Sequence, residues 1–374
     1  MSAIADVARL AGVSKSTASR ALSGRGAVSP ETRSRVESAA SQIGYVVSSN
    51  AASLVTGRTR NVGVVVPYVN RWFFGDVLEG IEAALIGAGY DLTLYRLTSD
   101  DEQRRRIFDY FLVRKRVDAV IAIGIELSSD EVRMLRLLRK PLVGIGGDIP
   151  GVATLSIDDV AASRFVTDHL IGLGHSRILH LGGEHIEQMD VRVHEQRLAG
   201  FRSAMASAGL GPHASVAFVP FSIEGGYRGA LTALADPATR PTAIVAACDE
   251  IAIGVIVAAR ELGISVPSRL SVVGIDGHPL AEMFALTTLE QKPAAHGLLA
   301  VEHVLDRLAG GEPGDTARRV MPATLAMRGS TTAPPIETGS GADVSPTVRP
   351  LTGGPSPESA SAGQATRSGA VLSG

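Results

Sequence analysis

The stretch DVARLAGVSKSTASRALSG, residues 6–24, decides how the front of the chain folds. Ile4, Val7, Ala8 and Ala11 recur at the spacing of one helical face, which predicts a helix over residues 3–10. Gly12 follows, a residue free to take positive φ in a tight turn. Ser14 is a capping side chain for a second helix reaching about Leu22, with Ala18, Ala21 and Leu22 turned inward. Two short helices joined at a glycine, the second polar at its start, have helix-turn-helix form. Lys15, Ser16, Thr17 and Arg20 fall on or near the exposed face of the second helix. Arg20 can reach guanine O6 and N7 or a phosphate, Lys15 acts as a point charge, and the hydroxyls bond permissively. A solvated face of a small helical bundle presents the same pattern.

Working outward, Ser23-Gly24-Arg25-Gly26 breaks the second helix, and Ser29-Pro30 supplies a cap followed by proline at the first position of a third. That helix is expected to run to about Ile43, with Gly44 stopping it. Residues 46–60, VVSSNAASLVTGRTR, form a small, polar connector that reads either as a short helix or as disordered chain. From Val62 the rhythm changes. VGVVVP (62–67), YDLTLYRL (90–97), VDAVIAIG (117–124), LVGIG (142–146), ILHLGG (178–183), VAFVP (216–220), AIVAACD (243–249) and LSVVGID (270–276) are strand-length apolar runs separated by helical stretches. Such runs imply parallel strands buried on both faces, and eight of them imply two sheets, hence two lobes with a cleft between. Residues 331–374 are rich in Gly, Ser, Pro, Thr and Ala and cannot bury enough surface to offset ordering entropy, so a disordered tail is expected.

Charge is segregated. Residues 1–60 hold eight basic and three acidic side chains, a net of +5, so the −2 of the 374-residue chain leaves −7 on the remainder. A basic head on an acidic body suits a head that meets phosphate and a body that does not. Aromatics make up only 4%, so Val, Ile, Leu and Ala must fill the core. The single cysteine, Cys248, excludes an internal disulfide and a multi-cysteine zinc site, which fits a reducing cytosol. With no 18-residue apolar run and no apolar signal segment after Met1, neither a membrane span nor secretion is expected. The expected location is cytoplasmic.

Taken together, IADVARLAGVSKSTASRALSG (4–24), VSPETRSRVESAASQIGY (28–45), NAASLVTGRTRNVGVVVP (50–67), IDDVAASRFVTDHLIGLGHSRILHLGG (157–183), QRLAGF (196–201) and LSVVGIDG (270–277) resemble the LacI/GalR family of bacterial regulators, in order and spacing, over about residues 2–329. The resemblance implies an α/β chain with a helix-turn-helix head (1–46), a hinge helix or linker (47–60), and a two-lobed body like the periplasmic binding proteins, with parallel sheets (61–330). It implies a regulator, in its commonest form a repressor, that binds operator DNA as a homodimer under the control of a sugar-like or polyol effector. Residues 48–56 would order on DNA, with Ala51 against the duplex and Leu54 wedged into the minor groove. Val47 and Ser48 stand where the family usually has Pro-Asn, and Ala52 where it often has Arg, which loosens the hinge.

The resemblance also implies effector contacts at Asn70 and Phe73, at Asp158 or Asp159, and at Arg197, Phe221, Cys248, Asp249 and Asp276. Carboxylates accept paired hydrogen bonds from adjacent hydroxyls, arginine donates back in a fixed fork, and aromatic faces cover the C–H face of a ring. Cys248 stands where the family has Asn or Ser, Gly146 where some members have an acid, and Gly277 where a second Asp is usual. An enzyme is the first rival. However, GIGG (144–147) lacks the GxGxxG spacing, and no P-loop, G-x-S-x-G or HExxH occurs, so neither catalysis nor a cofactor is expected. His169, His175 and His180 read as helix and loop positions. A free sugar-binding protein of a transport system is the second rival, opposed by the basic head.

Overall fold

The computed structural model describes residues 4–23, 27–45, 58–98, 100–112, 117–146, 149–183, 191–311 and 318–335. Its first three helices are α1 (Ile4–Leu10), α2 (Lys15–Ser23) and α3 (Pro30–Gln42). Gly12 and Gly44 take φ of 65° and 61°, the left-handed conformation that ends α1 and α3. Ser14 accepts from Thr17 N at 3.1 Å, and Ser29 caps α3 through Thr32 N. Small side chains, Ala8, Ala11, Ala18, Ala21, Ala39 and Ala40, with Val7 and Val36, let the three helices pack closely. Two arginines pin α3 to the others: Arg33 Nη1 donates to Ala21 O at 2.9 Å and Arg35 Nε to Ala11 O at 3.0 Å. Each guanidinium satisfies a carbonyl near a helix C-terminus. The expected hinge and its Ala51 and Leu54 lie outside the described residues.

The chain enters the body pinned by Asp118, which accepts from Thr59 N, Thr59 Oγ1 and Arg60 N at 2.8–2.9 Å. The first lobe contains β1 (Asn61–Val66), α4 (Trp72–Gly87), β2 (Asp91–Arg96), α5 (Asp101–Arg105), a π-helical turn (Arg106–Leu112), β3 (Ala119–Ile123), α6 (Ser129–Leu137), β4 (Leu142–Ile145) and β5 (Ala153–Ser156). The second contains α7 (Asp159–Gly172), β6 (Ile178–Gly183), α8 (Val191–Ser207), β7 (Ala214–Val219), α9 (Ile223–Leu234), β8 (Ala243–Ala246), α10 (Asp249–Glu261), β9 (Ser271–Asp276), α11 (Leu280–Met283) and β10 (Thr287–Glu290). Then α12 (Pro293–Leu308) and β11 (Arg318–Val320) return to the first lobe, and β12 (Thr324–Ala326) to the second.

Strand order is β11-β5-β4-β3-β1-β2 in one sheet and β12-β10-β9-β8-β6-β7 in the other. Pairing is parallel except between β10 and β12. The chain therefore crosses between lobes three times: after β5, β10 and β11. All eight apolar runs form strands, and β5, β10, β11 and β12 are additional. Because the sheets are covered on both faces, β1, β3, β4, β6, β8 and β9 are buried along nearly their whole length.

Two expectations are corrected here. The body does not end at residue 330. Thr332 N donates to Ser271 Oγ at 3.0 Å, and the His175 ring lies 2.8 Å from Thr332 O, so the chain stays docked on β9 through these bonds. The rest of the expected tail, 336–374, lies outside the described residues. His180 sits inside β6, stacked on Phe201 with ring centroids 5.2 Å apart, and not in a helix or loop.

Candidate functional site

Two surfaces bear the chemistry expected of this chain. On the head, Lys15, Ser16 and Arg20 are exposed at the start and middle of α2 and Thr17 is half-buried. Ser14 Oγ lies 2.8 Å from Ser16 Oγ and 2.9 Å from Thr17 Oγ1, a hydroxyl cluster that closes the first turn. Arg20 Nε donates back to Ser16 O at 3.2 Å, which leaves its two terminal nitrogens outward. The first turn of α2 carries no acidic residue, so nothing on it repels phosphate.

The second surface is a cleft of about 600 Å3 between the lobes. Arg197 rises from α8, nearly fully buried. Its Nε donates to Asp159 Oδ1 at 2.9 Å, its Nη2 to Asp276 Oδ1 at 3.2 Å, and its Nη1 to Ala247 O. Gln291 Nε2 donates to the same Asp276 oxygen at 2.7 Å. Burial alone would lower the Arg197 pKa, but Asp276 and Asp159 outweigh it and raise the pKa, so the group stays charged. Burial pushes the Asp276 carboxyl up, opposed by Arg197 and Gln291. Phe73, Phe74 and Phe221 supply the aromatic lining, with Phe73 and Phe74 edge-to-face at 5.5 Å and Phe221 held against His194 at 4.5 Å.

The rest of the lining is a mixture of backbone and polar groups. Gly124 and Gly146 take φ of 53° and 70°, and a Cβ on Gly124 would lie 2.8 Å from the Phe74 ring, so the wall there is bare backbone. Arg71, Ser156, Glu250 and His296 complete the polar set. Burial, then Asp276, raises Glu250 to about 7, with Arg71 opposing. Burial lowers His296 to about 4, so it is neutral at pH 7.

Of the expected cleft residues, Phe73, Arg197, Phe221 and Asp276 come together, with Asp159 from the Asp158-Asp159 pair. Asp158 is exposed and caps α7 through Ala161 N at 3.0 Å. Asn70 is exposed just outside the lining; its neighbour Arg71 faces in. Cys248 is buried behind the wall, its thiol raised well above the ordinary range, first by burial. Asp249 is fully buried and accepts from Gly277 N at 2.9 Å, His278 N at 2.8 Å and Thr288 Oγ1 at 2.6 Å. It thereby shapes the turn bearing Asp276, whose φ of 131° is rare for a non-glycine residue. Arg71, Glu250, Gln291 and His296 were not expected. Arg71 adjoins Asn70 and Glu250 adjoins Asp249, so those two stood next to residues already marked, whereas Gln291 and His296 flank the second crossover, which no sequence signal marked.

Residues 3–48 match the description "Bacterial regulatory proteins, lacI family", and residues 167–331 match "Periplasmic binding protein-like domain". HTH-type transcriptional regulator DegA of Bacillus subtilis (strain 168) is 34% identical over 341 residues, 88% of this chain and 97% of that protein. The chain belongs to the lacI family of bacterial regulatory proteins. This lacI-family regulator is also 31% identical to the HTH-type transcriptional repressor CytR of Escherichia coli (strain K12), over 88% of this chain and 96% of that one. Its fold matches the lac repressor dimer bound to operator and the anti-inducer ONPF with a TM-score of 0.77 and 23% identity, covering 89% of this chain and 99% of that chain. The transcriptional regulator CelR–cellobiose complex matches with a TM-score of 0.63 and 28% identity, over 88% of this chain and 100% of that chain. The chain is thus a DNA-binding transcriptional regulator with a ligand-binding body. Among the described residues no helix is long and apolar enough to cross a membrane.

Proposed function

We propose that this regulator is a repressor that grips a near-palindromic operator as a homodimer and releases or tightens it when a sugar-like or polyol effector fills the cleft. The observation that carries the effector half is the buried Arg197, held between Asp159 and Asp276 beside three phenylalanine rings. Both carboxylates line the cleft and take their protein hydrogen bonds on Oδ1, which leaves acceptor capacity on each, and the rings offer an apolar floor. A ligand with a hydroxyl edge and a C–H face satisfies both. The CelR–cellobiose complex, a sugar-loaded relative, supports that chemistry.

The DNA half rests on α2. Lys15, Ser16, Thr17 and Arg20 would meet base edges and phosphates in the major groove, while Ala51 and Leu54 of the connector would meet the minor groove. One head spans only a short half-site, so two chains are needed for an operator-length sequence. Coupling follows from differential affinity: the effector stabilises one lobe arrangement, and the head spacing that goes with it binds DNA better or worse. Selection of genomic fragments by the purified full-length protein tests this reading. One family of near-palindromic fragments should be enriched, and a sugar or polyol should change its retention. If every genomic fragment is held no better than random duplex, with or without metabolites, the reading fails.

A further inference from the structure

The charges around the cleft divide unevenly. Arg197 is held by its own acids: Nε and Nη2 donate to Asp159 and Asp276 and Nη1 to Ala247 O, so its charge is already offset by two carboxylates. The second cation in the lining, Arg71, lies with its guanidinium carbon 3.7 Å from the centre of the Tyr68 ring and is coupled electrostatically to Glu250. Among the described lining residues the basic side chains Arg71 and Arg197 stand against the acidic side chains Asp159, Glu250 and Asp276. Two basic groups face three acidic ones.

The helix ends tell the same story. The first turns of α7 and α10 are occupied by their own acids, Asp159 in α7 and Asp249 and Glu250 in α10. At Arg71, α4 opens on the cleft with neither a side-chain cap nor an acid in its first turn, so its first N–H groups and the guanidinium would otherwise make a phosphate cradle. Glu250 lines the same cleft from the opposite lobe, where the charge of Arg71 lowers its pKa against burial and Asp276.

Building on the cleft assignment above, we propose that the cleft takes an uncharged, hydroxyl-rich effector and rejects its phosphate ester, with Glu250 the residue that enforces the rejection. A phosphoryl group brought to the start of α4 meets the Glu250 carboxylate lining the same cleft, which offsets the charge of Arg71 beside it. Such like-charge placement is a standard route to specificity, because it penalises the wrong ligand without touching the right one. A hydroxyl at the same place donates to Glu250 and is accepted.

The test uses the full-length protein and matched pairs: glucose and glucose 6-phosphate, ribose and ribose 5-phosphate, fructose and fructose 6-phosphate, adenosine and adenosine monophosphate. Binding is read by calorimetry and by fluorescence of Trp72, the single tryptophan, whose ring lies 4.9 Å from His278 of the other lobe. At pH 8, at least one uncharged member binds and its phosphate ester binds about 100-fold more weakly or not at all. In Glu250→Gln, with a wild-type circular dichroism spectrum, that gap narrows to less than about 10-fold. An ester that binds the wild type as well as or better than its parent overturns the proposal and leaves the effector reading standing. An undiminished gap in Glu250→Gln removes Glu250 as the enforcing residue. Silence from all eight compounds in the wild type overturns the effector reading and the proposal together.

Discussion

At the scale of single residues, the cleft is organised by one buried arginine whose partners are not equivalent. Asp276 accepts from both Arg197 and Gln291 on Oδ1, and an amide oxygen in the same position can accept both bonds. Asp276→Asn should therefore fold, bind operator DNA normally, and lose effector affinity by about 10- to 100-fold, the usual worth of hydrogen bonds to a charged group. Calorimetry with the effector and a mobility shift with the operator separate the two effects. Arg197→Ala is a different case. It strands two buried carboxylates, and removing one partner of a buried ion pair costs about 3–5 kcal/mol, so loss of folded protein is the expected outcome. Glu250 adds a pH dependence. Burial and Asp276 hold its pKa near 7, and a hydroxyl that donates to it favours the ionised form. Binding then releases a proton, so affinity rises as pH increases toward about 7 and levels off above it. His296, neutral above about 4, adds no slope between pH 5.5 and 8. Affinities measured over that range should rise in the wild type and rise less steeply in Glu250→Gln, where Asp249, raised to about 7 by burial and then by Asp276, still titrates behind the cleft. The aromatic and acidic cleft residues on strand ends were legible because strand ends are where such sheets bind. Arg71, Glu250, Gln291 and His296 were not, because their place depends on how the crossovers and helix starts fold back, which spacing along the chain does not encode.

At the scale of elements, the lobes are held by helix pairs that cross on glycine. A Cβ on Gly80 of α4 would lie 2.0 Å from Ala294 O, and one on Gly297 of α12 would lie 2.3 Å from Val77 O. In the second lobe Gly200 of α8 faces Val160 O at 2.2 Å, Gly226 of α9 faces Ile251 O at 2.2 Å, and Gly254 of α10 faces Ile223 O at 2.1 Å. These are helical positions, where a glycine is intrinsically unfavourable, so close backbone approach is what selects it. Gly254→Ala should overpack the α9–α10 crossing and lower stability by about 1–3 kcal/mol or more, seen as a fall in Tm. A Tm equal to wild type would mean that the crossing relaxes freely. The sheets themselves were legible wherever strands are buried on both faces, since those read as unbroken Val, Ile and Ala runs. The four strands that went unread are ATLS, TTLE, RRV and TLA, each three or four residues long and polar, paired through their backbones beside or after a crossover. Nothing in their side chains announces a strand. What orders β10 and the segment after β12 is polar: Ser330 Oγ accepts from Thr287 N at 2.8 Å and donates to Val272 O at 2.6 Å.

At the scale of the whole molecule, the chain separates charge between a part that docks on a polyanion and a part that does not, but not every basic residue of the head serves the docking. Arg33 and Arg35 are spent on helix-end carbonyls, Arg58 on Leu308 O, and Arg9 lies 3.1 Å from Asp6. Lys15 and Arg20 stay outward on α2. If each head makes about three phosphate contacts, a dimer releases the counterions of about six, and log K against log salt should fall with a slope of about −5. The two classes of basic residue then part company. Lys15→Ala, present twice per dimer, should flatten the slope by about 2 and weaken every duplex alike. Arg20→Ala should in addition erode discrimination between operator and random duplex, by about 10- to 100-fold if it pairs with guanine. Arg33→Ala should leave the slope near its wild-type value and lower the melting temperature of the head instead, because its nitrogen satisfies the end of α2 and not a phosphate. Fluorescence anisotropy titrations between 50 and 300 mM salt, on operator and on scrambled duplex, distinguish all three. A slope lost in Arg33→Ala and kept in Lys15→Ala would reverse the assignment of which face of the head meets DNA.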